Sequence, residues 1–196
     1  AYNSLAYRMG LTTADVARFP PEKEKLTETI RQFTRYDSRI DEEGQLLEED
    51  ILPFEAVLLP VGGEEAKSVA SLLSFYEMGP RKVQRLGTGL WDDKSLATEP
   101  SLDGAWFAAP SPELRKEFER RYSQLYGNRP PRLATLAYDA TALAAVLART
   151  GYERSGKPAF DRGHLTNPNG FAGLDGVFRF RPDGIVERGL AVLQFV

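Results

Sequence analysis

The chain has 196 residues, no cysteine and a formal net charge of −3. The missing thiols exclude disulfides, thiolate metal sites and cysteine nucleophiles, and the mild acidity proposes no nucleic-acid partner. Hydrophobic residues make up 42% and charged residues 27%, so one large domain or two small lobes can form a core.

Ala1 to Gly10 reads as a helix entered midway, with Leu5 to Met9 helical, Gly10 a terminator and no initiator methionine. Such a start is expected of a piece of a longer chain, so the lack of a visible targeting segment carries little weight. Asp15 to Phe19 is a short strand candidate ending at Pro20-Pro21. Pro21 suits a first helical turn, and Glu22 and Glu24 suit the positive end of a helix dipole. Leu26, Ile30 and Phe33 mark an amphipathic helix to about Tyr36. Asp37 to Asp50 is acidic, with Arg39 the lone cation. Gly44 is present, but Asp41-Glu42-Glu43 lacks the alternation of a calcium loop, so a solvated insertion is expected.

The stretch from Phe54 to Trp91 organises the chain. Ala56 to Leu59 is a short apolar run closed by Pro60, as in a strand buried on both faces. Gly62-Gly63 turn into a helix whose apolar stripe is Ala66, Val69, Ala70, Leu73 and Tyr76. Met78-Gly79-Pro80 ends it with a glycine and a following proline. Lys82 to Leu86 is a second strand running into Gly87-Thr88-Gly89. This is one β-α-β unit with a right-handed crossover. Both strands end in glycine-rich loops at their carboxyl ends, where open α/β sheets bind ligands.

Ala105 to Ala109 reads as a further strand stopped by Pro110. Ser111-Pro112-Glu113 starts a helix whose buried face carries Leu114, Phe118, Tyr122 and Leu125. Gly127 to Pro131 breaks it. Leu133 to Leu147 is a second, alanine-rich helix expected to be deeply packed, and Thr150 to Gly163 a loop. Gly176 to Phe180 alternates like a strand with one wet face. Arg181-Pro182-Asp183-Gly184 is a turn and Ile185 to Phe195 a return strand, so the chain closes on a β-hairpin.

His164 is the only histidine, which excludes histidine relays and multi-histidine metal sites; it reads as a structural loop residue, with a lone catalytic base as the alternative. No Gly-x-Ser-x-Gly elbow, dinucleotide fingerprint or phosphate loop occurs. Trp91, after a glycine turn, either stacks on a ligand or caps the core. Asp139 sits near the start of an apolar helix, as a ligand contact or in a capping or interlobe hydrogen bond. None of these patterns asks for a metal or cofactor.

Three strings carry a family resemblance: Leu86-Gly87-Thr88-Gly89-Leu90-Trp91, Gly104 to Pro110, and Asn167 to Phe171 with Phe178 to Gly184. In this order of elements the chain resembles type 1 periplasmic binding proteins, such as leucine/isoleucine/valine-binding proteins of ABC importers. Within them it looks most like alphaproteobacterial penicillin-binding protein activators.

The resemblance implies an α/β three-layer sandwich with a mostly parallel sheet and a C-terminal β-hairpin. Residues 1–110 would be a second α/β lobe, 111–150 helices of the first lobe, and 151–196 a loop and hairpin returning to the second lobe. The implied function is non-enzymatic and periplasmic, with a lipid anchor an option in the full-length protein. It is regulation of a cell-wall synthase or, alternatively, delivery of an amino acid or similar small polar molecule to an importer. The ligand would lie in an interlobe cleft, touched by Val61, Gly62, Gly63, Thr88, Gly89, Trp91 and Asp139. On this resemblance the first lobe's own sheet is expected to lie outside this chain. Leu114, Phe118, Tyr122, Leu125, Leu143, Val146 and Leu147 are therefore expected to pack on a second copy, a separate first-lobe polypeptide, or this chain's own rearranged sheet, since each forgoes about 1.5–3 kcal/mol in water.

Overall fold

The computed structural model describes residues 10–18, 22–47 and 51–196. The expected helix at Leu5 to Met9, the Phe19 to Pro21 end of the first strand candidate and Glu48 to Asp50 of the acidic stretch lie outside them. The chain divides into two compact units, 1–107 with 193–196, and 108–192.

In the first unit, α1 (Lys23–Phe33) is the amphipathic helix expected around Leu26 and Ile30, which are buried. Residues 15–18 form no strand. The strands β1 (Ala56–Leu59) and β2 (Gln84–Gly87) pair in parallel, Val57 opposite Arg85 and Leu59 opposite Gly87. Helix α2 (Gly63–Phe75) crosses between them and buries Ala66, Val69, Ala70 and Leu73, the stripe visible in its spacing. β3 (Trp106–Ala109) adds to β2 in parallel, and β7 (Ala191–Gln194) completes the order β1-β2-β3-β7.

Two features of this unit depart from expectation. The terminator of α2 is Glu77 rather than Gly79. Glu77 has a φ of 63°, and its N–H and that of Met78 reach back to the carbonyls of Ser74 and Leu73 at 3.1 and 2.9 Å. This is a Schellman ending, with a non-glycine residue in the left-handed position. The acidic insertion is also tied down. Arg39 turns inward, is buried, and donates to the carbonyl oxygens of Thr34, Tyr76 and Glu77. A cation at the carbonyl end of α2 is favoured by the helix dipole. Asp41 closes the following turn, its Oδ1 accepting from the N–H groups of Glu43 and Gln45.

The second unit holds α3 (Pro112–Tyr126), α4 (Ala134–Ser155), the short α5 (Arg162–Leu165) and an antiparallel sheet of β4 (Phe171–Gly173), β5 (Gly176–Phe180) and β6 (Val186–Arg188). Helix α4 runs eight residues beyond the expected Leu147. Gly151 lies inside it and not in a loop: the returning chain at Lys157 to Ala159 lies against it, and a Cβ there would come within 2.3 Å of the Ala159 nitrogen. The glycine serves close packing inside a helix, and Gly156 in the left-handed region provides the real end.

The expected hairpin is three strands, not two. Its return strand breaks after Arg188, and Ala191 to Gln194 goes to the other sheet. The hairpin sheet groups with the helices of 108–192 and not with the first unit, because Leu143 and Leu147 of α4 bury against Phe178, with Leu165, Phe171 and Phe180 around them. Of the remaining expected face, Phe118 and Tyr122 are half-buried, while Leu114, Leu125 and Val146 are exposed.

Candidate functional site

The carboxyl ends of β1 and β2 bring six of the seven candidate residues together. After Leu59 the chain passes through Pro60, Val61 and Gly62 into α2. After Gly87 it passes through Thr88 into a single 3-10 turn, Gly89–Trp91. The Trp91 Nε1–H donates to the Val61 carbonyl at 2.8 Å, linking the two loops. Thr88 caps its turn, its Oγ1 accepting from the Leu90 N–H at 3.4 Å. Gly62 lies against Leu90, 3.1 Å from where a Cβ would sit, and Gly63 opens α2 with a φ of 54°.

The Trp91 ring is fully buried. It lies over Gly87, where a Cβ would stand 2.1 Å from the indole. It stacks on Phe195 at 6.0 Å and faces Phe107 at 6.4 Å. Of the two readings open in the sequence, the geometry supports the core one: the indole fixes the loops from beneath. The open surface of this site comes from Val61, Gly62, Gly63 and Thr88, all half-exposed, and the exposed Gly89 and Leu90. It offers backbone groups and one hydroxyl. Lys67 on the first turns of α2 has its pKa raised by a hydrogen bond to Glu64 at 2.6 Å, so that cation is spoken for.

Asp139 belongs to the second unit. It is buried within α4, its Oδ1 accepting from the Leu174 N–H at 2.7 Å and its Oδ2 from Arg188 Nη1 at 3.3 Å. Sequence reasoning missed Arg188. Its signal was the turn at Arg181 to Gly184, which sets a register placing Arg188 directly opposite Phe178; the guanidinium lies 4.9 Å from that ring's centroid. Beside this pair the unit has an open pocket of about 510 Å³ lined chiefly by apolar side chains. A second polar cluster joins Arg132, Thr135 and the buried Asp175, whose Oδ2 accepts from both at 2.9 and 2.7 Å.

His164 is paired locally, its Nδ1 2.7 Å from Asp161 Oδ2. That contact holds the Asp161 carboxyl below its ordinary value. Among the described residues no group of histidine and acidic side chains is arranged to hold a metal ion, and no helix is long and apolar enough to cross a membrane.

No family model and no curated protein matches the sequence. Solved structures do match in fold. One is described as a branched-chain amino acid ABC transporter from Rhodospirillum rubrum, at a TM-score of 0.64 and 18% identity over 89% of this chain and 47% of that one. An ABC transporter substrate-binding protein from Desulfitobacterium hafniense gives 0.61 and 18%, over 97% and 51%. An extracellular ligand-binding receptor from Rhodopseudomonas palustris HaA2 gives 0.58 and 16%, over 98% and 55%. The chain thus spans about half the length of these proteins. At such identities the likeness is one of fold: α/β, with a mostly parallel sheet, as in type 1 periplasmic binding proteins.

Proposed function

We propose that this chain is part of a non-enzymatic solute-binding protein that delivers a small polar molecule, an amino acid or similar, to an ABC importer. The observation that carries this is the pair of loops at the carboxyl ends of the parallel β1 and β2, tied by the Trp91–Val61 hydrogen bond. Open α/β sheets bind ligands at such ends. Val61, Gly62, Gly63, Thr88 and Gly89 would present backbone N–H and C=O groups and the Thr88 hydroxyl to the solute, with Trp91 as their support. Asp139, engaged with Leu174 and Arg188, would act by holding the second unit in shape. The setting would be the periplasm, where such receptors work, with a lipid anchor in the full-length protein an accompanying proposal.

The solved structures of like fold are described as transport or ligand-binding proteins, which favours the receptor over an activator of a penicillin-binding protein with a cell-wall synthase as partner. The half of those proteins that this chain does not span would supply a first lobe. That lobe would cover Leu114, Leu125 and Val146.

Calorimetric titration of the full natural protein with leucine, isoleucine, valine and a panel of other small polar solutes tests the reading. One saturable event, weakened by Thr88→Ala, is expected. Silence across the panel, together with capture of a cell-wall synthase, would turn the conclusion to the activator.

A further inference from the structure

We infer that the cavity between α4 and the β4-β5-β6 sheet binds an amphipathic organic monoanion, its apolar body against α4 and its carboxylate on Arg188. The proposal uses none of the β1 and β2 loop residues, so it stands or falls separately from the solute receptor.

The cavity measures about 510 Å³, within the roughly 300–1,000 Å³ of small-molecule sites. Leu143, Leu147, Phe160, Phe178, Phe180 and Val186 are among the apolar residues of its wall. Apolar walls of this kind reject an inorganic anion and favour a hydrocarbon or aromatic body. Among the described residues only two charged ones line it, Asp139 and Arg188, and their states differ. Asp139 is 4% exposed and closed in. Both its oxygens have donors, and the backbone of Gly173 packs so tightly on it that a Cβ there would lie 2.4 Å from Oδ2. It cannot turn to a ligand's cation.

Arg188 retains capacity. Its side chain is 16% exposed, and its one polar partner among the described residues is Asp139, through Nη1. A guanidinium carries five N–H donors in a planar fork that matches a carboxylate. Phe178 beneath it and Asp139 beside it hold that fork in place. Asp139 is therefore a positioning residue, and its charge also limits the site to one anionic group. A charge-assisted hydrogen bond at the edge of an apolar cavity is stronger than one in water.

The test titrates this protein with decanoate, below its micelle concentration, and with decanol as a neutral match, following heat and the methyl NMR signals of Leu143, Leu147 and Val186. Expected are saturable shifts with decanoate and an affinity for decanol at least about tenfold weaker. Arg188→Gln should bring decanoate down to the decanol level. Asp139→Asn combined with Arg188→Gln should do the same, without leaving a buried carboxylate unpaired. Ala144→Phe, at an exposed wall position of α4, should block both probes with an unchanged circular dichroism spectrum. Equal affinity for the two probes, no saturable shifts, or binding that survives Ala144→Phe overturns the proposal. So do methyl shifts that track protein concentration without any probe, which would make a second copy of the chain the occupant.

Discussion

Glu77 holds a backbone conformation that suits glycine, with a φ of 63°. Left-handed backbone costs an L-residue about 1–2 kcal/mol, part of which a glycine returns through its freedom in the unfolded chain. The Glu77–Lys82 pair, at 3.9 Å and largely exposed, adds little. Glu77→Gly should therefore stabilise the protein by about 0.5–1 kcal/mol in urea unfolding; a lower midpoint would show that the pair matters more than the backbone. On α3, Glu117 accepts from Arg120 and Arg121, which pull its carboxyl down to about 2. Because the folded value lies below the ordinary one, its contribution is present above the unfolded-chain value and is lost as pH falls toward 2. An NMR titration should find Glu117 among the last carboxylates to protonate. An ordinary midpoint would mean that the two arginines are elsewhere in solution.

At the scale of elements, α4 shows how a helix can depend on a residue that weakens helices. Ala for Gly at an ordinary interior position gains about 0.8–1 kcal/mol. At Gly151 an added methyl meets backbone atoms of Lys157 and Ala159 at 2.4 and 2.3 Å. It would also displace the loop whose Ala159 N–H donates to the Leu147 carbonyl. Gly151→Ala should thus destabilise by about 1–3 kcal/mol, as overpacking does, while leaving helix content unchanged by circular dichroism. A raised melting temperature would mean that the loop yields freely. The same logic holds at Gly87 under Trp91, where close approach rather than a turn demands the glycine.

Across the whole molecule, two compact units carry separate apolar interiors, one around Trp91, Phe107 and Phe195 and one around Leu143, Leu147 and Phe178. Leu125 and Leu133 are 77% and 72% exposed on the second unit, with Tyr126 also exposed. Large apolar side chains left this exposed attract dyes and other chains. The chain alone should bind an apolar fluorescent dye and associate as concentration rises. Leu125→Glu with Leu133→Glu should reduce both, with less than about 0.5 kcal/mol change in stability, as surface changes do. Unchanged dye binding would place the sticky surface elsewhere.

The sequence by itself determined the β-α-β unit, because period and punctuation are local: Ala56 to Leu59 before Pro60, the stripe from Ala66 to Leu73, and the glycines after each strand. It also brought Val61, Gly62, Gly63, Thr88 and Gly89 to one end of one sheet, since parallel strands must end together. Tertiary structure alone decided where single side chains lie. Whether Trp91 faced a ligand or the core depended on Phe107 and Phe195, and Phe195 is 104 residues away in sequence (195 − 91). Arg39 stood in the sequence as the lone cation of a stretch expected to be solvated, yet the carbonyl end of α2 captured it. Asp139 and Arg188 met across 49 residues, and Gly151 passed for a loop glycine until a returning chain lay on it. Each of these outcomes rests on contacts between segments far apart in the chain. Such contacts leave no periodic trace in either segment, so only the folded chain could settle them.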